Sequence, residues 1–169
     1  MAEYTIRRMT VADAALVGQQ REAMFQAVHK PQAALDAMRE PFLAWVEPRL
    51  RNGQYMGWAV EADGDVVGGA GLMVVDWPPH YAHPTDPRRG YLLNVYVDSA
   101  HRGHGLARRL VEATYEGVRE LGISYLILHA SEMGRPVYER MGWNDTNEMM
   151  LLLETPDAQH AAPPDSDPA

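Results

Sequence analysis

The chain has no cysteine. That excludes disulfides, thiolate metal sites and a cysteine nucleophile, and it makes a soluble cytoplasmic protein the simplest expectation. No apolar run approaches the ~20 residues that a membrane span needs. The opening "MAEYTIRRMT" lacks the apolar stretch of a secretory leader. Lysine is nearly absent as well: Lys30 stands alone among 15 basic residues, which reads as compositional bias rather than chemistry. Those bases face 23 acids, for a net charge of −8. The segment after Glu154, "TPDAQHAAPPDSDPA", carries three of the acids, and without it 20 acids still face 15 bases. Nucleic-acid affinity comes largely from neutralising phosphates, so neither nucleic acid nor a membrane is expected as a partner.

What remains is an ordinary globular balance, 46% apolar and 22% charged over 169 residues, enough for one domain with a sizeable core. Residues 4–9 alternate as a strand. Residues 11–29 follow as a helix, with Leu16, Met24 and Val28 at near-helical spacing. A second helix is predicted over 33–50, kinked or broken by Pro41 and Pro48. The stretch "QYMGWAVEADGDVVGGAGLMVVDW" reads as a hairpin about Asp63-Gly64, with Gly68, Gly69 and Gly71 weakening its second strand or marking a bulge. A proline-rich loop from Pro78 to Arg89 precedes "GYLLNVYV", a strand of the kind buried on both faces.

After Gly105 the pattern is helical to Leu121, where Gly122 is a stop. Residues 124–130, "SYLILHA", form another buried strand. A short helix over 132–141 follows, with Ser131 as its N-cap and Pro136 near its start. "NEMMLLLE" is a last strand, and the Pro/Asp/Ala tail at 155–169 has too little apolar content to pack. The expected organisation is one domain over 1–154 plus a disordered tail. The strand–helix–strand unit at 90–130 is a crossover, so its two strands run parallel, adjacent or with another strand between them.

The junction inside that unit, "LLNVYVDSAHRGHGLARRLVEA", places Gly103 and Gly105 before the first turn of a helix. The first N–H groups of a helix lack internal partners, and with the helix dipole they favour an anion. Arg102 and Arg108 add positive charge; a plain strand-to-helix turn is the alternative. A P-loop requires Lys and Ser/Thr after the second glycine, and a dinucleotide fingerprint requires a third glycine where Arg108 stands, so both are excluded.

"RGHGLA", 102–107, resembles the Q/R-x-x-G-x-G/A signature of the GNAT superfamily of acyl-CoA-dependent N-acyltransferases. Downstream, "LILHASEMGRPVYERMGW" resembles that family's next strand and helix, which often end in Y-E-[KR]-[LM]-G-[FW]. The resemblance implies an α/β fold with a mostly antiparallel mixed sheet, a central splayed pair of parallel strands and flanking helices. Acetyl-CoA would lie in the V as cosubstrate. Backbone groups of Val95 and Val97, beside Tyr96, would pair with its pantetheine arm. The N–H groups of Gly103, His104, Gly105, Leu106, Ala107 and Arg108 would take the pyrophosphate, with Arg102 as a further cofactor contact, and Ser131 stands where many relatives carry an arm-contacting asparagine.

The implied reaction is direct attack of a primary amine, on a small molecule or an amino terminus, upon the thioester. Tyr138 occupies the general-acid position, with an amphipathic core residue as the alternative reading. An N–H on the 94–97 strand would stabilise the oxyanion. No glutamate stands in "LLNVYV" to act as base; Asn94 would hold a water or orient the amine, and Glu148 is a second candidate. An α-amine near pKa 8 needs less help than one near 10.4, which favours a water relay. The H-x-x-H pairs His80/His83 and His101/His104 complete no zinc pattern, so no metal is expected, and His129 reads as a core histidine. A non-catalytic acyl-CoA sensor is the competing function, and a homodimer stays open as a partner state. The two N-terminal helices and the 77–89 loop would shape the acceptor site.

Overall fold

The computed structural model describes residues 3–149. Strand β1 (Tyr4–Arg8) leads through a short 3-10 turn into helix α1 (Ala14–Gln26). The Asp13 carboxylate accepts from the Thr10 N–H at 2.7 Å while the Thr10 hydroxyl accepts from the Ala12 N–H, a reciprocal cap that starts the helical run. The buried side of α1 is Ala14, Val17 and Gln20 rather than the Leu16–Met24–Val28 row.

Helix α2 (Gln32–Asn52) is one uninterrupted element, so of the kink or break expected at its prolines the break does not occur. Pro41 and Pro48 lie on its exposed side, and Leu35, Phe42 and Val46 anchor the opposite face in the core. Burial of that face offsets the hydrogen bonds that two missing N–H groups forfeit.

Strands β2 (Tyr55–Ala62) and β3 (Asp65–Asp76) form the expected hairpin. Asp63 and Gly64 turn it with φ of 51° and 93°, the mirror-image turn that matches strand twist. Strand β4 (Arg88–Val97) pairs antiparallel with β3; helix α3 (Leu106–Glu120) crosses over to β5 (Leu126–Leu128), which pairs parallel and directly with β4. Helix α4 (Arg135–Arg140) follows. The sheet order is β1-β2-β3-β4-β5, with β5 at the edge among the described residues.

Strand β5 is shorter than the expected 124–130 and only half-buried, because β4 and β5 pair solely over Gly90–Leu92 and Leu126–Leu128 before parting. The strand expected at 147–154 falls outside the described residues except for 147–149, which are irregular, and the tail lies wholly outside them.

One face of the sheet packs on α3 through Trp58, Val60, Leu72, Leu106, Leu110 and Val118. The other packs on α1 and α2 through Val17, Phe42, Val46 and Tyr55. Between Gly69 and Gly71 the β3–β4 register slips: Gly69 faces Tyr96 and Gly71 faces Leu93, so Asn94 and Val95 together oppose Ala70. Asn94 sits at φ 54° in this bulge. The extra residue exchanges the faces of the strand. Leu93 packs with the α1/α2 side, whereas Val95 and Val97 pack with the α3 side.

The closed end of the V is pinned from outside. Arg89, 7% exposed, lies between the Trp77 and Tyr125 rings at 4.2 and 4.6 Å from their centroids. Its Nε donates to His83 Nε2 at 2.9 Å. Because that nitrogen accepts, the proton of His83 is on Nδ1, which donates to the Asp86 carbonyl at 2.8 Å. Arg88 pairs with Asp86 at 2.9 Å. Arg88 and Arg89 are therefore both engaged locally.

Candidate active site

Beyond Leu92 the edge of β4 that faces β5 has no strand partner among the described residues, and a cavity of about 960 Å³ opens there. Its walls come from the second half of α1, from β4, from the loop into α3, from the segment after β5 and from α4. Apart from the second base candidate, Glu148, all but one of the site residues expected from the sequence line it: Asn94, Val95, Tyr96 and Val97 on β4; Arg102, Gly103, Gly105, Leu106, Ala107 and Arg108 at the entry to α3; Ser131 and Tyr138 opposite. The exception is His104, whose ring turns outward, 5.6 Å from that of Tyr4, with Nδ1 3.1 Å from the His101 carbonyl oxygen.

The loop into α3 is built for an anion. Gly103 and Gly105 have φ of 82° and 73°, a conformation that glycine adopts without cost, and open space lies where their side chains would be. No side chain caps α3, so its first N–H groups are left to a ligand. Arg102 reaches back, its Nε donating to the Val97 carbonyl at 3.1 Å, while Arg108 is tied to Glu112 at 2.8 Å. An unpaired strand edge leading to an uncapped, glycine-cleared helix start fits an extended arm that ends in a pyrophosphate, so these residues fit acetyl-CoA.

Across the V, the Tyr138 ring packs 6.0 Å from Trp143, edge to face. Its hydroxyl finds no partner among the described residues, and burial pushes its pKa up to about 12. Tyr96 instead spends its hydroxyl on Asp98 at 2.6 Å. Ser131 is not the N-cap of α4: the helix starts three residues later than expected, behind Gly134. The Ser131 hydroxyl closes that turn by accepting from the Gly134 N–H at 3.1 Å.

Both ends of the Asn94 amide are engaged by protein, and each keeps one further hydrogen-bonding position. Its Oδ1 accepts from Arg21 Nη1 at 2.6 Å, and its Nδ2 donates to the Tyr55 hydroxyl at 3.0 Å. The Tyr55 hydroxyl reaches this position through the space over Gly71, where any Cβ would collide with it. Arg21 lies between the Phe25 and Phe42 rings, 4.8 Å from each centroid. Sequence reasoning missed it; the available signal was its i, i+4 spacing to Phe25 on the helix face that bears Met24 and Val28.

His129 is also reassigned. It is an exposed residue on the cavity wall, with Nδ1 against the Tyr91 hydroxyl and Nε2 3.1 Å from Glu148 Oε1. A carboxylate only accepts, so Nε2 carries the proton and Nδ1 accepts from Tyr91. Burial and the Glu148 charge raise the Tyr91 pKa. The 77–89 loop and α2 do not reach the cavity, contrary to expectation; α2 supports it from behind through Phe42. Among the described residues no three His, Asp or Glu side chains cluster to hold a metal, and no helix is long and apolar enough to cross a membrane.

A GCN5-related N-acetyltransferase of Ralstonia eutropha is similar in structure, with a TM-score of 0.87 and 43% identity over 89% of this chain and 99% of that one. A "predicted acetyltransferase" of Clostridium acetobutylicum, solved with acetyl-CoA, has a TM-score of 0.80 and 26% identity over 89% of this chain and 96% of its own. Human N-acetyltransferase 8 is 31% identical over 99 residues, 57% of this chain, and the match spans only 41% of that protein's length. The family model of the acetyltransferase (GNAT) family matches residues 21–143. The splayed strands, the glycine loop and this match lead to one assignment: the chain belongs to the GNAT acetyltransferase family, whose members use acetyl-CoA as cosubstrate.

Proposed function

We propose that the protein transfers the acetyl group of acetyl-CoA to a primary amine, of a small molecule or an amino terminus, by direct attack, and that it does so in the cytoplasm. The observation that carries this reading is the convergence on one cavity of the uncapped glycine loop, the unpaired edge of β4 and the free Tyr138 hydroxyl. When bound, acetyl-CoA supplies the activated carbonyl. The N–H groups from Gly103 to Arg108 neutralise the pyrophosphate, and the edge of Val95 and Val97 aligns the arm. The bulge at Asn94–Val95 breaks the ladder with β3, and it supplies an N–H for the oxyanion.

Tyr138 donates a hydrogen bond to the departing sulfur. With a phenol pKa of about 12 against about 8.5 for a thiol, full proton transfer is uphill by more than three powers of ten, so the hydroxyl steadies the thiolate rather than protonating it. The amine loses its proton to the Tyr91 oxygen as the Tyr91 proton moves to His129 Nδ1, with Glu148 holding the imidazolium that results. This arrangement replaces the water relay expected from the sequence.

Calorimetric titration with acetyl-CoA tests the reading. Wild type is expected to bind in the micromolar range and Gly105→Glu to lose at least tenfold, with thermal melts confirming that the variant is folded. No binding by wild type overturns the reading. Binding without thiol release from any amine would mark the protein as an acyl-CoA sensor instead.

A further inference from the structure

Among the described residues the cavity wall bears Arg21, Lys30, Arg102, Arg108 and Arg140 and no Asp or Glu, in a chain whose net charge is −8. The loop into α3 accounts for Arg102 and Arg108. Arg21 and Lys30 stand apart from it, Arg21 in the second half of α1 and Lys30 just beyond its end, on the opposite wall of the cavity.

Arg21 is the more informative of the two. It is half-buried, yet no carboxylate lies within ion-pair distance among the described residues. Its Nε is sealed from solvent with no partner. Among the described residues its one hydrogen bond is to the neutral Asn94, and Nη2 of this cavity-lining side chain has no partner. A guanidinium stays charged at any working pH, and burying that charge unpaired is costly unless an anion completes it. The orientation is fixed on every side: two phenylalanine rings hold the plane, and Asn94, itself braced by Tyr55, holds one edge. Two stacked rings and a bulge residue are more apparatus than a solvated surface arginine needs.

We infer that Arg21 is the anion anchor of the acceptor site, and that the acceptor is a small primary amine bearing a carboxylate. This rests on the acetyl-transfer reading above and names its substrate class. Nη2 binds the carboxylate, Lys30 adds a second positive charge at the entrance, and the amine then faces Tyr91 and the β4 bulge. A carboxylate on the acyl group would offer Arg21 the same chemistry, so the test separates the two sources.

The test measures thiol release from acetyl-CoA and from succinyl-CoA with the common amino acids and with their carboxamides, for wild type, Arg21→Gln and Arg21→Lys. Calorimetry with acetyl-CoA and thermal melts serve as controls. The expected result is turnover of acids over carboxamides with acetyl-CoA, and a KM for the acid raised at least tenfold in Arg21→Gln, with acetyl-CoA affinity unchanged. Arg21→Lys should recover part of the loss, since it keeps the charge without the fork. Turnover of carboxamides equal to or above that of the acids overturns the inference, as does turnover of neither set. So does an Arg21→Gln effect confined to succinyl-CoA, which assigns the anchor to the acyl donor. Failure of acetyl-CoA to bind wild type overturns instead the acetyl-transfer reading beneath it.

Discussion

Tyr138 carries the clearest chemical expectation at the scale of a single residue. Replacing it with Phe removes one hydroxyl from a half-buried ring and leaves the packing on Trp143 in place. Turnover should fall by about 10²-fold, the low end for a positioned acid, with acetyl-CoA affinity unchanged. Because burial holds this phenol near 12, ionisation of Tyr138 should cause no loss of activity on the alkaline side up to about pH 10. A pH–rate profile checks both points. Glu148→Gln should alter the acidic limb of that profile and Tyr138→Phe should not; a Phe variant with wild-type turnover removes Tyr138 from the chemistry. Tyr138 was legible because its neighbours "VYERMGW" form a pattern. Arg21 was not: an arginine in an amphipathic helix is usually solvated, and only the fold brings Phe42 and Asn94 against it.

The elements were legible where local chemistry decides them. The Asp63-Gly64 turn, the start of α3 behind Gly105 and its stop at Gly122 all depend on positive φ, and all stand where the glycines pointed. The prolines of α2 do not break it because they forbid only local hydrogen bonds, while the helix is retained by contacts distant in sequence. That override has a measurable cost. Pro41 is exposed, so Pro41→Ala restores an N–H to the Ala37 carbonyl without disturbing the core. Stability should rise by about 1–3 kcal/mol, read as a higher denaturant midpoint. An unchanged midpoint would mean that α2 is curved enough there to leave that carbonyl satisfied by water. The face exchange on β4 was hidden for a related reason: "LLNVYV" is apolar on both sides, so alternation gives no clue that one residue is extra.

For the whole molecule, three buried or tethered phenols link fold to pH. Tyr55, Tyr96 and Tyr138 are each pushed up to about 12, chiefly by burial, with Asp98 adding to the effect at Tyr96. A phenol whose pKa rises on folding favours the folded state while it stays neutral. That contribution is complete below the unfolded value near 10 and is lost as pH climbs through 12. Denaturant midpoints should therefore hold level up to about pH 10 and drop between 10 and 12. A decline already under way at pH 9 would show that other groups govern alkaline unfolding. Composition indicated a single acidic domain and gave no hint that the acids among the described residues avoid the cavity wall, because charge counts carry no address.

The parting of β4 from β5 has a consequence for how the protein survives in a crowded solution. Unpaired strand edges invite other chains to add to the sheet, and most folds blunt them with charge, proline or a bulge. Here the open edge is sunk between α1, α3 and α4, with its closed end clasped by Arg89. A second sheet cannot reach it; a single slender chain can. The same recess that admits a thioester arm thus keeps a sticky edge out of reach of aggregation.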